Sequence, residues 1–341
     1  MKKIMTLILG LILASNIQAI AIPIEMQPTM ISRSNAQDRI WVGSFQLVWN
    51  DFVNKVIHNP IRFREGTPII VQELNKQTFT ENDLSEKSYY KTICKVSKNT
   101  KKNINKALKK KFKETSELID KLDLSPRNDK FLVYAMLKKD FEFVKEFDKL
   151  GTSSFGDAIP AEYFGISKES NKSLGSGVKV LFYNGPDDYA VKLTTTGTDE
   201  VYLYKNSSNK AFAHIYSDML KKEKMFEGDK NFKNTDELKV PNLNFESEVS
   251  YDELAKRRIM GTNLLIDQAM QTVKFNMNNK GVKVKSEAAM TVMTMSIQPE
   301  DLIPRLFYFD NTFVLFLKEK GKGSPYLALR VNDITKYQTE K

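Results

Sequence analysis

Apolar residues at Phe45, Val48, Trp49, Phe52, Val53 and Val56 recur at steps of three and four, which lines one side of an α-helix and predicts a helix over Ser44 to Val56. The same spacing returns at Ile104, Leu108 and Phe112 within Lys98 to Lys113 (KNTKKNINKALKKKFK), where lysines take the other faces. That second helix is expected to run on through Leu118 and Leu122 and to end near Ser125-Pro126. Between the two, Pro60 to Tyr90 is mixed, with turn signals at Glu65-Gly66-Thr67-Pro68 and a capped start at Thr80 or Asn82.

From Phe131 the texture changes to strands. FLVYAML (131–137) is an almost unbroken apolar run, which predicts a strand covered on both faces in the middle of a sheet. Lys179 to Tyr183, Tyr189 to Leu193 and Glu200 to Tyr204 read as strands, the last two joined across Thr194 to Asp199, where Gly197 can supply a positive backbone angle. A helix is expected around Ala211 to Phe226. Phe313 to Leu317 and Tyr326 to Val331, separated by Gly321, Gly323 and Pro325, predict an antiparallel hairpin. With no internal repeat or low-complexity linker, one mixed α+β domain is favoured over two.

The chain starts Met1-Lys2-Lys3 and then Ile4 to Ala14, the charge-then-apolar layout of a secretory leader, with small residues at Ala19 and Ala21 for cleavage. Residues 1–21 are therefore expected to be a signal peptide and 22–341 a single exported domain, periplasmic, in the cell envelope or extracellular. Cys94 is the one cysteine, so no intrachain disulfide can form and packing must supply stability. The net charge is +10, concentrated in the lysine-rich segment. Its bland reading is a solvated helix face; the sharper one is a polyanion patch of Lys101, Lys102, Lys106, Lys109, Lys110 and Lys113. It lacks the arginines and stacking aromatics that base recognition needs, so specific nucleic-acid binding is not expected.

Enzymatic chemistry leaves little trace. His58, beside Asn59-Pro60 at a helix end, and His214, in an amphipathic stretch, read as structural, and neither has a second ligand at metal spacing. Cys94 has no His or Cys neighbour in sequence to lower its pKa. No phosphate-binding glycine loop, nucleophile elbow or zinc-binding histidine pair is present, so no catalytic residue, metal or cofactor is expected.

Between Gly281 and Pro304 lies VKVKSEAAMTVMTMSIQPEDLI, rich in Thr, Ser, Ala and Met. Together with its neighbours it resembles the C-terminal half of the serpins, and the chain is similar to a bacterial member of that superfamily. Val240-Pro241 to Glu248 looks like the proline-led serpin strand, Tyr251 to Met260 the short helix after it, and Ala269 to Lys280 with Gly281 the long strand before the reactive loop. Ser286-Glu287-Ala288-Ala289 resembles the hinge motif T-E-A-A. Phe313 to Leu317 and Tyr326 to Asn332 resemble the closing strand pair, and FLVYAMLKKDFEFVKEFDKL (131–150) resembles the strand that leads to a Trp and a Pro-Phe. The resemblance is clearest over 131–335. It departs from the family at Phe141 or Phe143 for the tryptophan, at Asn278-Asn279 for the acidic pair, and in the extra residues Val282 to Lys285.

The resemblance implies a large mixed or antiparallel central sheet, N-terminal helices, a second sheet region and an exposed reactive-centre-like loop. It also implies protease inhibition by cleavage of that loop and insertion of its upstream half into the central sheet. The hinge would be Lys285, Ser286, Glu287, Ala288, Ala289, Met290 and Thr291. The scissile region would fall within Ile297, Gln298, Pro299, Glu300 and Asp301, near Pro299 counting from Ser286 and near Asp301 counting back from Phe313. Ala288, Met290, Val292, Thr294 and Ser296, the alternate set after Ser286, carry no charge and so satisfy burial; Lys285 is the awkward neighbour. The partner would be a serine or cysteine protease acting on a monomer. The alternative is a non-inhibitory binding or envelope protein on the same scaffold.

Overall fold

The computed structural model describes residues 24–125, 131–282 and 304–338. In chain order the elements are β1 (Glu25–Gln27), β2 (Arg39–Val42), α1 (Ser44–Phe52), α2 (Ile69–Leu74), β3 (Tyr89–Lys95), α3 (Thr100–Phe112), α4 (Leu118–Lys121), β4 (Phe131–Leu137) and β5 (Phe141–Glu142). Next come β6 (Asp148–Phe155), β7 (Ile159–Ile166), β8 (Val178–Tyr183), β9 (Tyr189–Thr194), β10 (Asp199–Lys205), α5 (Phe212–Met225), β11 (Glu237–Pro241) and β12 (Leu243–Ser250). The chain closes with β13 (Arg257–Arg258), β14 (Leu265–Ile266), β15 (Met270–Asn278), β16 (Gly281–Val282), β17 (Leu306–Tyr308), β18 (Phe313–Glu319) and β19 (Leu327–Val331).

Seven strands form the largest sheet in the order β1-β2-β19-β18-β10-β9-β8, so the expected terminal hairpin β18–β19 lies at its centre. Val314 to Leu317 are all buried, because both faces of β18 are covered. On one face α5 presents Phe212, Ile215, Tyr216 and Met219, with the Tyr216 ring 5.0 Å from that of Phe316. A second sheet runs β17-β11-β7-β6 and a third β12-β15-β16-β5, while β3 and β4 form a separate two-stranded ribbon. The mixed α+β architecture is the one expected.

Three local expectations change. Among the described residues FLVYAML is not a mid-sheet strand: β4 pairs there with β3 alone, burying Leu132 and Tyr134 while Phe131 is exposed. Its apolarity serves packing instead, since Leu132 and Tyr134 meet Ile104, Leu108 and Phe112 of α3. The lysine-rich helix does not reach Leu122. It stops at Phe112, where Lys113 takes the left-handed conformation (φ 62), and α4 is a separate short turn. Tyr251 to Met260 does not form a helix. Tyr251 and Leu254 are buried in a turn, Lys256 is left-handed (φ 59), and Arg257–Arg258 then pairs with Leu265–Ile266. The other elements lie within a few residues of their expected limits. His58 ends the first helical stretch with φ 61, and Thr80 caps Glu81–Asp83.

Candidate functional site

Among the described residues the edge of β15 beyond β16 faces a cavity rather than a further strand. β15 alternates strictly: Gln271, Val273, Phe275 and Met277 are buried, and the residues between them are not. The chain turns at Asn279-Lys280 and comes back as β16, with Met277 opposite Val282 and Asn278 opposite Gly281. β16 then pairs antiparallel with β5, Gly281 with Glu142 and Val282 with Phe141. Two antiparallel steps make β5 run in the direction of β15, and β4 leads into β5 through Lys138 to Asp140.

At this end the two edges are stitched together. Phe143 N–H donates to Lys280 O (2.9 Å), Phe147 N–H to Asn279 O (2.9 Å), and the Asn279 amide to Glu146 Oε1 (2.7 Å). Gly281 permits the close approach: its φ is 156°, and a Cβ there would stand 2.3 Å from Phe141 O.

Away from the stitch, among the described residues, no strand pairs with both edges. A cavity of about 1090 Å³ opens there, bordered by Phe131 to Lys139 on the β4 side and by Ala269 to Asn276 on the β15 side. Phe45, Trp49 and Phe52 of α1 contribute to its wall. Gln271 ties β15 to that wall: its amide donates to Val42 O (3.1 Å) and Ser44 Oγ (2.9 Å) and accepts from Tyr251 OH (2.8 Å).

A strap crosses the opening. Between α3 and the start of α4, Glu114 pairs with Lys138 beyond β4, and Glu117 pairs with Lys274 on β15 (2.9 Å). Lys274 is also held by Glu246 (2.9 Å), and the hydrogen bonds it donates to Glu246 and Glu117 raise its pKa. Further along, Lys121 pairs with Glu248, and Asp123 N–H donates to Gln268 Oε1 (3.1 Å).

Behind the β4–β5 junction sits a buried charge cluster. Lys139 pairs with Asp199 (2.7 Å) and with Glu319, its ammonium 4.7 Å from the centre of the Tyr326 ring. Glu319 also accepts from Ser88 Oγ (2.8 Å) and Ser85 N–H (2.7 Å), and Asp199 from Tyr326 OH (2.9 Å). Burial alone would raise the Glu319 pKa; the hydrogen bond from Lys139, with that from Ser88, outweighs it and holds the carboxyl below its ordinary value. The cluster ties the junction to β10 and β18 of the seven-stranded sheet.

The expected hinge residues Lys285 to Thr291 and the scissile candidates Ile297 to Asp301 lie outside the described residues; the flanks Val282 and Pro304 lie within them. Lys101, Lys102, Lys106, Lys109, Lys110 and Lys113 are all exposed on or just after α3. His58 and His214 are exposed and far apart in sequence, and among the described residues no group of three His, Cys, Asp or Glu side chains could hold a metal. Burial raises the Cys94 pKa, against a hydrogen bond from Thr100 that lowers it, so the thiol is not activated. The strap and the Lys139 cluster escaped the sequence reading. Their one signal was the charged triplet Lys138-Lys139-Asp140 directly after an apolar strand.

No family model and no curated protein matches the chain. Solved serpins are among the structures to which it is similar. Serpin48 of the insect Tenebrio molitor is 13% identical with a TM-score of 0.48, covering 87% of this chain and 92% of its own. A thyroxine-binding globulin complex with thyroxine is 15% identical with a TM-score of 0.45, and human thyroxine-binding globulin with its ligand is 15% identical with a TM-score of 0.43. Each of the latter two covers 68% of this chain and 63% of that one.

Proposed function

We propose that this chain is an exported, non-enzymatic, serpin-like inhibitor of a serine or cysteine protease that works by loop cleavage and strand insertion. The observation that carries the reading is the cavity between β4 and β15, entered from its stitched end by β16. β16 itself runs antiparallel to β15 and to β5, which is the direction a new strand needs to complete ladders on both sides.

The β15–β16 register, continued one residue at a time, sets Val284 opposite Phe275, Ser286 opposite Val273, Ala288 opposite Gln271 and Met290 opposite Ala269. All four partners are buried, so this parity buries the uncharged alternate set that the sequence singles out. Lys285 falls on the outer side, between Lys138 and Lys274 when the β5 register is continued as well. Glu114, Glu117 and Glu246 already engage those two lysines, so the awkward ammonium meets carboxylates instead of the core.

Incubation with a panel of serine and cysteine proteases tests this: a denaturant-stable complex is expected, and clean loop cleavage without a complex would remove trapping. The second reading, a non-inhibitory binding or envelope protein on the same scaffold, is favoured by one observation. Pro299, Glu300 and Asp301 in the candidate scissile region suit few such proteases. Melting before and after loop cleavage separates the two, because insertion raises the melting temperature strongly and a relaxed scaffold leaves it unchanged.

A further inference from the structure

Arg39 on β2 and Arg330 on β19 stand opposite each other in register, and both are buried. A buried guanidinium ordinarily has a carboxylate beside it, because a charge taken out of water must be paired. Arg330 is held by carbonyls instead: Nε donates to Ser208 O (3.2 Å), Nη1 to Gln37 O (2.5 Å) and Nη2 to Ser207 O (2.9 Å). Arg39 donates from Nη2 to Lys210 O (3.0 Å), and among the described residues its Nε and Nη1 have no hydrogen-bond partner.

The buried carboxylate next in sequence, Asp38, is committed elsewhere. It accepts from Asn332 N–H (2.8 Å), Asp333 N–H (2.9 Å) and Tyr337 OH (3.1 Å), and it pairs with Lys336 (2.9 Å). Glu25 is exposed and accepts from the Ser34 hydroxyl (2.7 Å). Arg39, Arg330 and Lys336 are thus set against Asp38 and a solvated Glu25, which leaves an excess of buried positive charge. Burial, and then the charge of Arg39, pushes the Arg330 pKa down to about 10, and burial lowers that of Arg39; both still carry their charge at neutral pH. The helix α5 adds to the same field. Its first residue, Phe212, lies under Arg39, with the guanidinium carbon 5.1 Å from the ring centre. No side chain caps α5 at Ala211 and no acidic residue stands in its first turn, so the positive end of its dipole is left beside Arg39.

A water molecule would satisfy Nε and Nη1 of Arg39 and leave the excess charge as it is; an anion answers both. We propose that Arg39, Arg330 and the start of α5 hold a small monovalent anion of the halide class, as a structural ion under the 206–210 loop. The ion must be small because the site is closed. Both arginines are buried, and the loop above them is pinned to 34–35 by Asn209 Nδ2, which donates to Ser34 O (3.5 Å) and Asn35 O (3.4 Å). Those two bonds are long, and Asn35, Ser207 and Lys210 are exposed, so local opening of the same loop is the way in. A larger oxyanion would bring several acceptor oxygens, whereas only two nitrogens of Arg39 lack partners. This inference does not depend on strand insertion.

The test uses the full chain with chloride as probe, substituted stepwise for gluconate at constant ionic strength. A saturable rise in melting temperature of about 2–4 °C is expected as chloride increases. A response that is absent, or that grows without saturating as a general salt effect does, would overturn the site. Arg39→Met keeps the apolar stem and removes the unpartnered cation, and it is expected to abolish the chloride response. A variant that is merely less stable, with the response intact, would make Arg39 a packing residue and overturn the proposal. Should Arg39→Met not fold, bromide exchanged into crystals of the wild-type chain decides. Its anomalous peak is expected beside Nε and Nη1 of Arg39, and water density there, or a bromide peak only elsewhere, would sink the proposal.

Discussion

Glu114 and Glu117, three residues apart in one strap, pair with lysines on opposite edges of the cavity, Lys138 beyond β4 and Lys274 on β15. Two edges that share no backbone ladder along the opening are thereby joined by side chains from a third segment. The strap is anchored at its start by α3, whose buried Ile104, Leu108 and Phe112 each contribute about 1.5–3 kcal/mol of packing.

Replacing Glu114 and Glu117 together by Gln is expected to lower stability only slightly, by about 1 kcal/mol or less per pair, since the Glu117–Lys274 pair is exposed and the Glu114–Lys138 pair only half-buried. The larger effect is expected in rate: after loop cleavage, the rise in melting temperature should develop faster than in the wild type. A time course of melting after cleavage checks this, and an unchanged rate would show that the strap does not restrain the opening.

The parity of insertion is tested by one pair of variants. Ala288→Glu places a carboxylate on the side facing Gln271 and is expected to abolish the rise in melting temperature after cleavage, because a buried unpaired charge costs several kcal/mol. Ala289→Glu, one residue on, faces outward and is expected to preserve it. If both behave alike, the continued register is wrong.

Lys139→Met leaves Asp199 and Glu319 without their cation and is expected to destabilise the protein by about 3–5 kcal/mol. Denaturant titration measures this. A second substitution, Glu319→Gln, made in the Lys139→Met background, should recover part of the loss by removing one stranded charge.

Glu319 also predicts a pH dependence. Its folded pKa lies below the unfolded value, so its stabilisation is present above the ordinary carboxylate range and is lost as pH falls through the folded pKa. Between neutral pH and about pH 3, Glu319→Gln should therefore show a shallower loss of stability than the wild type. Parallel melting curves across that range decide it.

Gly281→Ala puts a Cβ against Phe141 O in a backbone conformation that favours glycine. It is expected to break the β16–β5 pairing at a cost of about 1–3 kcal/mol. Hydrogen exchange at Phe143 and Phe147, whose N–H groups bond to Lys280 and Asn279, reports the loss directly.

Where local periodicity decides an element, the chain was legible. The stripes of α1 and α3, the β9–β10 pair, α5 and the β18–β19 hairpin are all written in the spacing of apolar residues, whereas β15 is read from the resemblance. So is the uncharged alternate set from Ala288 to Ser296, and with it the resemblance that suggested a strand-insertion mechanism. What the chain could not declare is which apolar strand lies where. FLVYAML and FVLFL look alike as strings, yet among the described residues only the second sits mid-sheet, because burial on both faces depends on what α5 and the neighbouring strands bring to it. The end of α3 at Lys113, the crossing by Glu114 and Glu117, and the burial of Lys139 between Asp199 and Glu319 join residues up to 180 positions apart. Such pairings carry no period. They exist only once the tertiary fold has brought opposite charges within reach and removed the water between them.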